Sequence, residues 1–251
     1  MNATAPTRSP VLINAVIAVV FALLGGAAAW WWDSRASSGT IDGADRAAIE
    51  QVVHDYLMTH PEVLPKAMAE LENRQNASQL AKLRPELEKA AAGTVLGNPQ
   101  GKVTLVEFTD YACGFCRRSV SDVDALIAAN PQLRVVVREL PILSPGSGEA
   151  ARMAIAAAEQ GRYAAFHKAM FESGHPGPDT IATAASAAGL DMARARKVIA
   201  DPATDAELMR NLDLAKQLGF SGTPSWVVGD TMMSGAVGRE ELARAISGAS
   251  T

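Results

Sequence analysis

Cysteine, aromatic residues and surplus positive charge are all scarce in this sequence. Two cysteines occur among 251 residues, aromatic residues make up 5%, and 23 Lys and Arg stand against 27 Asp and Glu. The formal net charge is -4, whereas nucleic-acid-binding proteins carry an excess of basic residues, so we expect no nucleic-acid partner. Hydrophobic residues reach 48%, with abundant alanine, which predicts a helix-rich chain with a sizeable core.

The two cysteines, Cys113 and Cys116, are separated by only two residues. A disulfide stabilises a fold mainly by closing a long loop in the unfolded chain, and a loop this short has little entropy to lose. The pair is therefore predicted to serve chemistry rather than stability.

An apolar run near the N-terminus, Val11 to Trp32, is interrupted by one plainly polar residue, Asn14. About 20 apolar residues suffice to cross a bilayer, whereas the apolar region of a signal peptide has about 7–15. We therefore predict an inner-membrane anchor at residues 11-32, within an N-terminal segment 1-33, and an exported remainder in the periplasm. A cleaved signal is the alternative, since Ala27 to Ala29 offers small residues for a peptidase, and it would leave a soluble periplasmic protein.

A helical arm is predicted over residues 44-90, after a polar linker. Apolar side chains recur at spacings of three and four from Ile49 onwards and again after Val63, and His60-Pro61 interrupts the pattern. A narrow apolar stripe on such an arm is consistent with a homo-oligomer or with packing on the main domain, and the sequence leaves both open.

The remainder, residues 97-251, follows the order of an α/β fold. A β-branched strand precedes the cysteines, a helix follows them, and a second strand, a long helical block, a hairpin and a last helix complete the pattern. A parallel pair joined by a helix, together with an antiparallel hairpin, predicts a mixed sheet with helices on both faces. The predicted segments are strands at Val103–Phe108, Leu133–Leu140, Ser225–Val228 and Thr231–Ser234, helices ending near Ala129 and spanning Arg239–Ser247, and a helical insertion at about 146-219.

The position of the cysteine pair indicates redox chemistry. Cys113 lies where a predicted strand passes into a predicted helix. The positive end of a helix and its free N–H groups favour a thiolate at Cys113, and the thiolate is the nucleophile in disulfide exchange. Cys116, one turn further along, is placed to resolve a mixed disulfide. We therefore predict that both cysteines are catalytic.

Metal-binding uses of the pair fit the sequence less well. Structural zinc needs four ligands, and only four scattered histidines accompany the single cysteine pair. Covalent haem attachment needs histidine directly after the second cysteine, where Arg117 stands. Copper(I) held by both thiolates is the alternative function, as an exported copper-binding or metal-resistance module, with Met232 and Met233 as the nearest soft ligands. Disulfide exchange itself needs no metal and no organic cofactor.

The stretch from Glu107 to Cys116 resembles the active-site entry of the thioredoxin superfamily, in its DsbA-like branch. The resemblance implies a thioredoxin-like fold with a helical insertion, preceded here by the arm and the membrane helix. It also implies that Glu107 is a buried catalytic acid, which accepts or relays the proton of Cys116.

A second stretch, from Gly219 to Trp226, resembles the loop in which that family holds a cis-proline opposite the cysteines. The resemblance implies a cis peptide before Pro224, a rare and deliberate geometry. It further implies that the backbone of Thr223 pairs with an extended substrate segment, as in strand addition.

The arm also has a counterpart in this family. The stretch Ile49–Gln75 resembles the N-terminal helical arm of DsbA-like proteins related to ScsC and the disulfide isomerases, several of which form oligomers through it. The Gly-Phe pair between the cysteines differs from the Pro-His of DsbA and is closer to the Gly-Tyr of isomerase-type members. The resemblance thus implies a protein-disulfide oxidase or isomerase that acts on exported cysteine-containing proteins with a membrane redox partner, and it leaves the direction open.

Overall fold

The structure, a computed structural model, describes residues 21–33 and 43–249. These residues fall into two units, one reaching to Met68 and the other beginning at Ala69. Part of the predicted membrane segment, residues 11–20, lies outside the described residues, so the anchor stays a prediction.

The N-terminal unit is helical. Residues 21–33 form a helix, helix α1 spans Gly43–Thr59, and helix α2 spans Val63–Leu87 and continues into the second unit. The break predicted at His60-Pro61 is confirmed, since the residue before a proline avoids helical geometry. Within the described stretches, no helix combines the length and the apolar character needed to cross a bilayer. The apolar side chains of α1 are at least half exposed in the single chain at Ile49, Val52, Val53 and Tyr56.

The second unit is built on a mixed sheet, as predicted. Among the described residues five strands form one sheet in the order β1-β3-β2-β4-β5. Strands β2 and β3 run parallel, and the other neighbours are antiparallel. The strands are β1 (Val95–Gly97), β2 (Val103–Thr109), β3 (Leu133–Glu139), β4 (Ser225–Val228) and β5 (Thr231–Ser234). Only the short edge strand β1 was not predicted.

Helices connect and cover the strands. Helix α3, Gly114–Ala129, forms the crossover between the two parallel strands. A block of five helices occupies the predicted insertion, and α9 closes the chain. Their bounds are α4 (Pro145–Glu159), α5 (Tyr163–Glu172), α6 (Pro178–Ala187), α7 (Met192–Ile199), α8 (Pro202–Gln217) and α9 (Arg239–Ala249).

The sheet separates two apolar cores. Since side chains alternate across a strand, Leu105 of β2 joins one core together with both cysteines, whereas Phe108 joins the other. The second core also contains Leu80 and Leu87 of α2. The C-terminal part of α2 therefore packs in the core of the α/β domain, although the sequence analysis placed residues 44-90 in a separate arm.

A buried arginine fixes the end of α2. Arg138 of β3 is 2% exposed, and its guanidinium contacts Glu207 at 3.2 Å and Asn211 at 3.0 Å. Its remaining N–H groups donate to main-chain carbonyls at the end of α2, those of Glu86, Leu87 and Lys89. The last turn of a helix leaves such carbonyls without partners inside the helix. Arg138, which lies on a strand of the sheet, therefore supplies the hydrogen-bond donors that these carbonyls lack.

The variant Arg138→Lys is expected to lower the free energy of unfolding by about 2 kcal/mol. Lysine keeps the charge but has three donors instead of five, so buried carbonyls lose their partners. Urea unfolding followed by the fluorescence of the buried Trp226 measures this loss. The matched control is Arg134→Lys, because Arg134 is partly buried and donates to a single carbonyl, that of Glu88. Equal losses in the two variants would contradict the assigned role of Arg138.

Candidate active site

Cys113 is the residue immediately before α3, at its N-cap. Its Sγ accepts the N–H of Cys116 at 3.3 Å. The N-terminal N–H groups of a helix are free inside the helix and carry partial positive charge. The Cys113 sulfur therefore lies on the N-terminus of a helix, at the position that the sequence predicted for it. Cys113 is 5% exposed, so its environment is nearly dry.

Cys116 lies one turn further and is fully buried. Burial raises the pKa of its thiol well above the ordinary value, and the negative charge of Glu107 adds to the rise. Both cysteines are free thiols here. The two sulfurs thus differ in their surroundings. The Cys113 sulfur lies at a helix N-terminus, whereas the Cys116 thiol is buried and keeps its proton.

The loop before β4 faces Cys113. The peptide bond between Thr223 and Pro224 is cis, as predicted. The Sγ–H of Cys113 donates to the carbonyl oxygen of Thr223 at 3.2 Å. Residues 110 positions apart in the sequence therefore meet at the Cys113 sulfur. The Thr223 hydroxyl is buried and has no hydrogen-bond partner within the described part of the chain.

Glu107 is a buried acid, as the resemblance implied. It lies in β2 opposite Trp226 of β4 and is 3% exposed. Desolvation raises the pKa of its carboxyl to about 8, so the group is mainly protonated at neutral pH. Side chains two positions apart in a strand share a face, so Glu107 lies on the same face of β2 as Leu105 and Thr109. Leu105 belongs to the core that contains both cysteines. The protonated carboxyl of Glu107 therefore lies on the side of the sheet where the two cysteines are, close enough to affect the pKa of Cys116.

Asp110 ties the turn that carries Cys113 to the loop after β3. Its Oδ1 accepts the N–H of Ala112 at 2.8 Å, and its Oδ2 accepts those of Ile142 and Leu143 at 2.8 and 2.9 Å. The carbonyl of Asp110 accepts the N–H of Cys113 at 2.9 Å. The sequence analysis did not single out Asp110, although an acid at the junction of a strand and a turn is a usable signal.

A buried polar cluster next to this turn was also missed. Glu139, at the end of β3, accepts the hydroxyl groups of Tyr111 at 3.0 Å and Tyr163 at 2.8 Å. His167 places Nδ1 3.1 Å from the Tyr111 hydroxyl. Burial raises the pKa of Glu139 to about 8 and lowers that of His167 to about 4. A glutamate closing an apolar strand was the one sequence signal for this cluster.

The surface beside Cys113 carries exposed apolar groups. Phe115, between the cysteines, is 55% exposed, and the guanidinium carbon of Arg118 lies 4.4 Å from its ring centroid. Ile142 and Leu143 are likewise exposed, on the loop held by Asp110. Three exposed apolar side chains therefore lie on the two segments next to Cys113.

The two methionines considered as soft ligands for copper(I) pack against different cores. Met233 packs against the core that contains the cysteines, whereas Met232 packs against the opposite core. In the stretches that the structure describes, no group of three or more His, Cys, Asp or Glu is arranged to hold a metal ion.

The sequence of the second unit matches a known family. A profile of the DSBA-like thioredoxin domain matches residues 104–247, more than half of the chain. The chain belongs to this family. A second profile, of the N-terminal domain of the copper resistance protein ScsC, matches residues 45–77 of the arm. The DsbA-like thioredoxin fold predicted from the sequence is thus confirmed.

Solved structures of DsbA-like proteins share the fold. A thioredoxin-like oxidoreductase from Silicibacter pomeroyi DSS-3 is 41% identical and superposes with a TM-score of 0.63. The alignment covers 66% of this chain and 97% of that one. Proteus mirabilis ScsC in a transitional conformation is 25% identical and superposes with a TM-score of 0.63. The alignment covers 85% of this chain and 98% of that one.

The curated relatives are much longer than this DsbA-like chain. The Na(+)/H(+) antiporter NhaA 3 of Salinispora tropica is 30% identical over 158 residues, which are 62% of this chain and 24% of the antiporter. The chain spans about a quarter of the length of the curated relatives it matches.

Proposed function

We propose that this protein is a thiol–disulfide oxidoreductase that acts on exported, cysteine-containing proteins through Cys113 and Cys116. The observation that carries the proposal is the position of the Cys113 sulfur. It lies on the N-terminus of α3, at 3.3 Å from the Cys116 amide, and faces the carbonyl of Thr223 at 3.2 Å. This position supports Cys113 as the nucleophile, Cys116 as the resolving thiol and the Thr223-Pro224 loop as the surface that faces the substrate.

The proposed reaction is a pair of thiolate–disulfide exchanges. In the reducing direction, the Cys113 thiolate attacks one sulfur of a substrate disulfide, forms a Cys113–substrate bond and releases the other substrate sulfur as a thiolate. The Cys116 thiolate then attacks the Cys113 sulfur and releases the second substrate thiolate. The substrate gains two electrons and the Cys113–Cys116 disulfide forms. Oxidation is the reverse sequence. In isomerisation another substrate thiolate attacks the substrate sulfur of the mixed disulfide, forms a new substrate disulfide and releases the Cys113 thiolate.

Glu107 is proposed to receive the proton of Cys116. The buried thiol must lose its proton before it attacks, and Glu107 is the neighbouring group with a pKa near neutrality, about 8. The ionised fraction of Glu107 accepts that proton, and the protonated fraction returns one when the Cys116 thiol forms again.

The cis-proline loop is proposed to hold the substrate. An extended segment adds to the backbone of Thr223 beside Pro224, with its cysteine sulfur in line with Cys113. The exposed Phe115, Ile142 and Leu143 flank this path and contact apolar substrate side chains.

The cellular setting is part of the proposal. The apolar run at residues 11–32 supports a location outside the cytoplasm with an inner-membrane anchor, and a membrane redox partner would reset the cysteine pair. The exposed apolar residues of α1 support association with further copies of the chain. A copper-binding role is the second candidate, favoured by the ScsC profile on the arm.

The proposal is tested with the full-length reduced chain. We expect it to accelerate insulin reduction by dithiothreitol or the reactivation of scrambled ribonuclease, and the same chain alkylated at both cysteines to lose the effect. Copper(I) titration with a chromogenic chelator runs in parallel. Equal rates for the untreated and alkylated chains would refute the oxidoreductase proposal. Stoichiometric copper(I) binding that alkylation removes would then favour the second candidate.

A further inference from the structure

The buried cluster around Glu139 includes a residue of the redox turn, the segment from Asp110 to Cys113. Tyr111 is two residues before Cys113, and its hydroxyl donates to Glu139 Oε1 at 3.0 Å. Tyr163, the first residue of α5, donates to the same oxygen at 2.8 Å. One carboxyl oxygen thus joins the turn before the nucleophile to the helical insertion.

The proton positions in the cluster follow from the distances. Each tyrosine has one O–H, and both point to Glu139 Oε1. The Tyr111 oxygen therefore accepts from His167, whose Nδ1 lies 3.1 Å away. His167 is neutral because burial lowers its pKa to about 4, so its single proton is assigned to Nδ1.

The cluster is buried among aromatic rings. Phe171 places its ring centroid 4.9 Å from that of Tyr111 and 5.0 Å from that of His167, and Phe166 packs at 6.0 Å from Tyr111. Buried polar groups are costly without partners, so such a network persists only in the geometry that satisfies it. Tyr111 is therefore held in one position relative to β3.

A second tie reaches the same part of the chain. The carboxylate of Asp110 binds the N–H groups of Ile142 and Leu143, just after β3, while Tyr111 binds Glu139 at its end. The turn that ends at Cys113 is thus fixed at two successive residues to one segment, residues 139–143. Movement of the turn would break both ties.

We propose that Tyr111, Glu139 and His167 are positioning residues of the redox site, which hold the turn so that the Cys113 sulfur stays on the Cys116 amide and thereby set the reduction potential. The inference deepens the proposed function, on which it rests. A reduced form stabilised by this contact is a stronger oxidant, because the potential reports the balance between dithiol and disulfide. Loosening the turn weakens the contact and favours the disulfide.

The test compares two tyrosines that bind the same oxygen. Tyr111→Phe and Tyr163→Phe each remove one hydroxyl from Glu139 Oε1, but only Tyr111 belongs to the redox turn. We expect Tyr111→Phe in the full chain to shift the equilibrium with glutathione about tenfold toward the disulfide, which is about 30 mV. Tyr163→Phe is expected to leave the equilibrium within about twofold of the wild type. Urea unfolding verifies that the two variants lose similar stability.

The acid is tested by a conservative pair. Glu139→Gln keeps an oxygen that accepts both tyrosines and is expected to retain the wild-type potential, whereas Glu139→Leu is expected to shift it as Tyr111→Phe does. Equal potentials for Tyr111→Phe, Tyr163→Phe and the wild type would overturn the inference. This equilibrium is measurable whether or not the chain turns over protein substrates, so failure here is distinct from failure of the proposed function.

Discussion

Replacement of Cys113 by serine is expected to reduce disulfide exchange to the uncatalysed rate. A serine hydroxyl at the N-terminus of α3 still accepts the Cys116 amide, so the fold is retained, but it does not attack a disulfide at neutral pH. Insulin reduction and reactivation of scrambled ribonuclease measure the loss. Any rate clearly above the background in both assays would remove Cys113 from the role of nucleophile.

The matched variant Cys116→Ser is expected to fail at the next step. Cys113 still attacks, but the mixed disulfide is no longer resolved from within the protein, so the covalent complex with substrate accumulates. Non-reducing electrophoresis and mass spectrometry are expected to show this complex joined at Cys113. A variant of Cys116 that releases substrate at the wild-type rate would contradict its assignment as the resolving thiol.

The reduced protein is expected to lose stability as the pH rises from 6.5 to 8. Glu107 and Glu139 have a folded pKa of about 8, against 4.5 for an ordinary glutamate. The folded state therefore binds about two more protons than the unfolded state at pH 6.5 and about one more at pH 8. Stability falls with pH wherever the folded state binds more protons, here by about 3 kcal/mol in total. His167, with its pKa lowered to about 4, acts in the opposite direction below pH 6.5 and adds little above it.

Equilibrium urea unfolding at a series of pH values, under reducing conditions, tests this expectation. Glu107→Gln and Glu139→Gln should each remove about half of the fall. Glu240→Gln is the control, because that side chain is exposed on α9. A free energy of unfolding that is level or rises between pH 6.5 and 8 would show that the two carboxyls are not held neutral inside the fold.

The parts of the site that were predictable are those encoded in short stretches of sequence. The cysteine pair was located from its spacing and from the β-branched, apolar run at Val103–Phe108, because such a run indicates a buried strand that ends just before the pair. The hairpin at Ser225–Ser234 followed from Gly229-Asp230 between two apolar runs, a strong turn signal. Pro224 and Glu107 needed the family resemblance, since neither residue alone has a distinctive pattern.

The parts that were not predictable arise from contacts between distant segments. Glu139 and Tyr163 are 24 residues apart, and nothing local in the sequence shows that a helix of the insertion returns to the end of β3. Strand β1 has three residues, too few for an alternating pattern, and is fixed by its pairing with β3. Arg138 sits in an apolar run, and only the tertiary structure shows that its partners are carbonyls of α2.

The clamp that Arg138 forms on the end of α2 also constrains how such proteins can be recombined. An N-terminal arm could be replaced by another module only upstream of Leu80, because Leu80 and Leu87 fill the second core and the following carbonyls bind Arg138. A graft made at the glycine-containing stretch, residues 93–101, would remove these residues and leave the buried guanidinium of Arg138 without the main-chain carbonyls that it binds. The interchangeable piece is therefore shorter than the arm that the sequence suggests, and its natural joint lies inside a continuous helix.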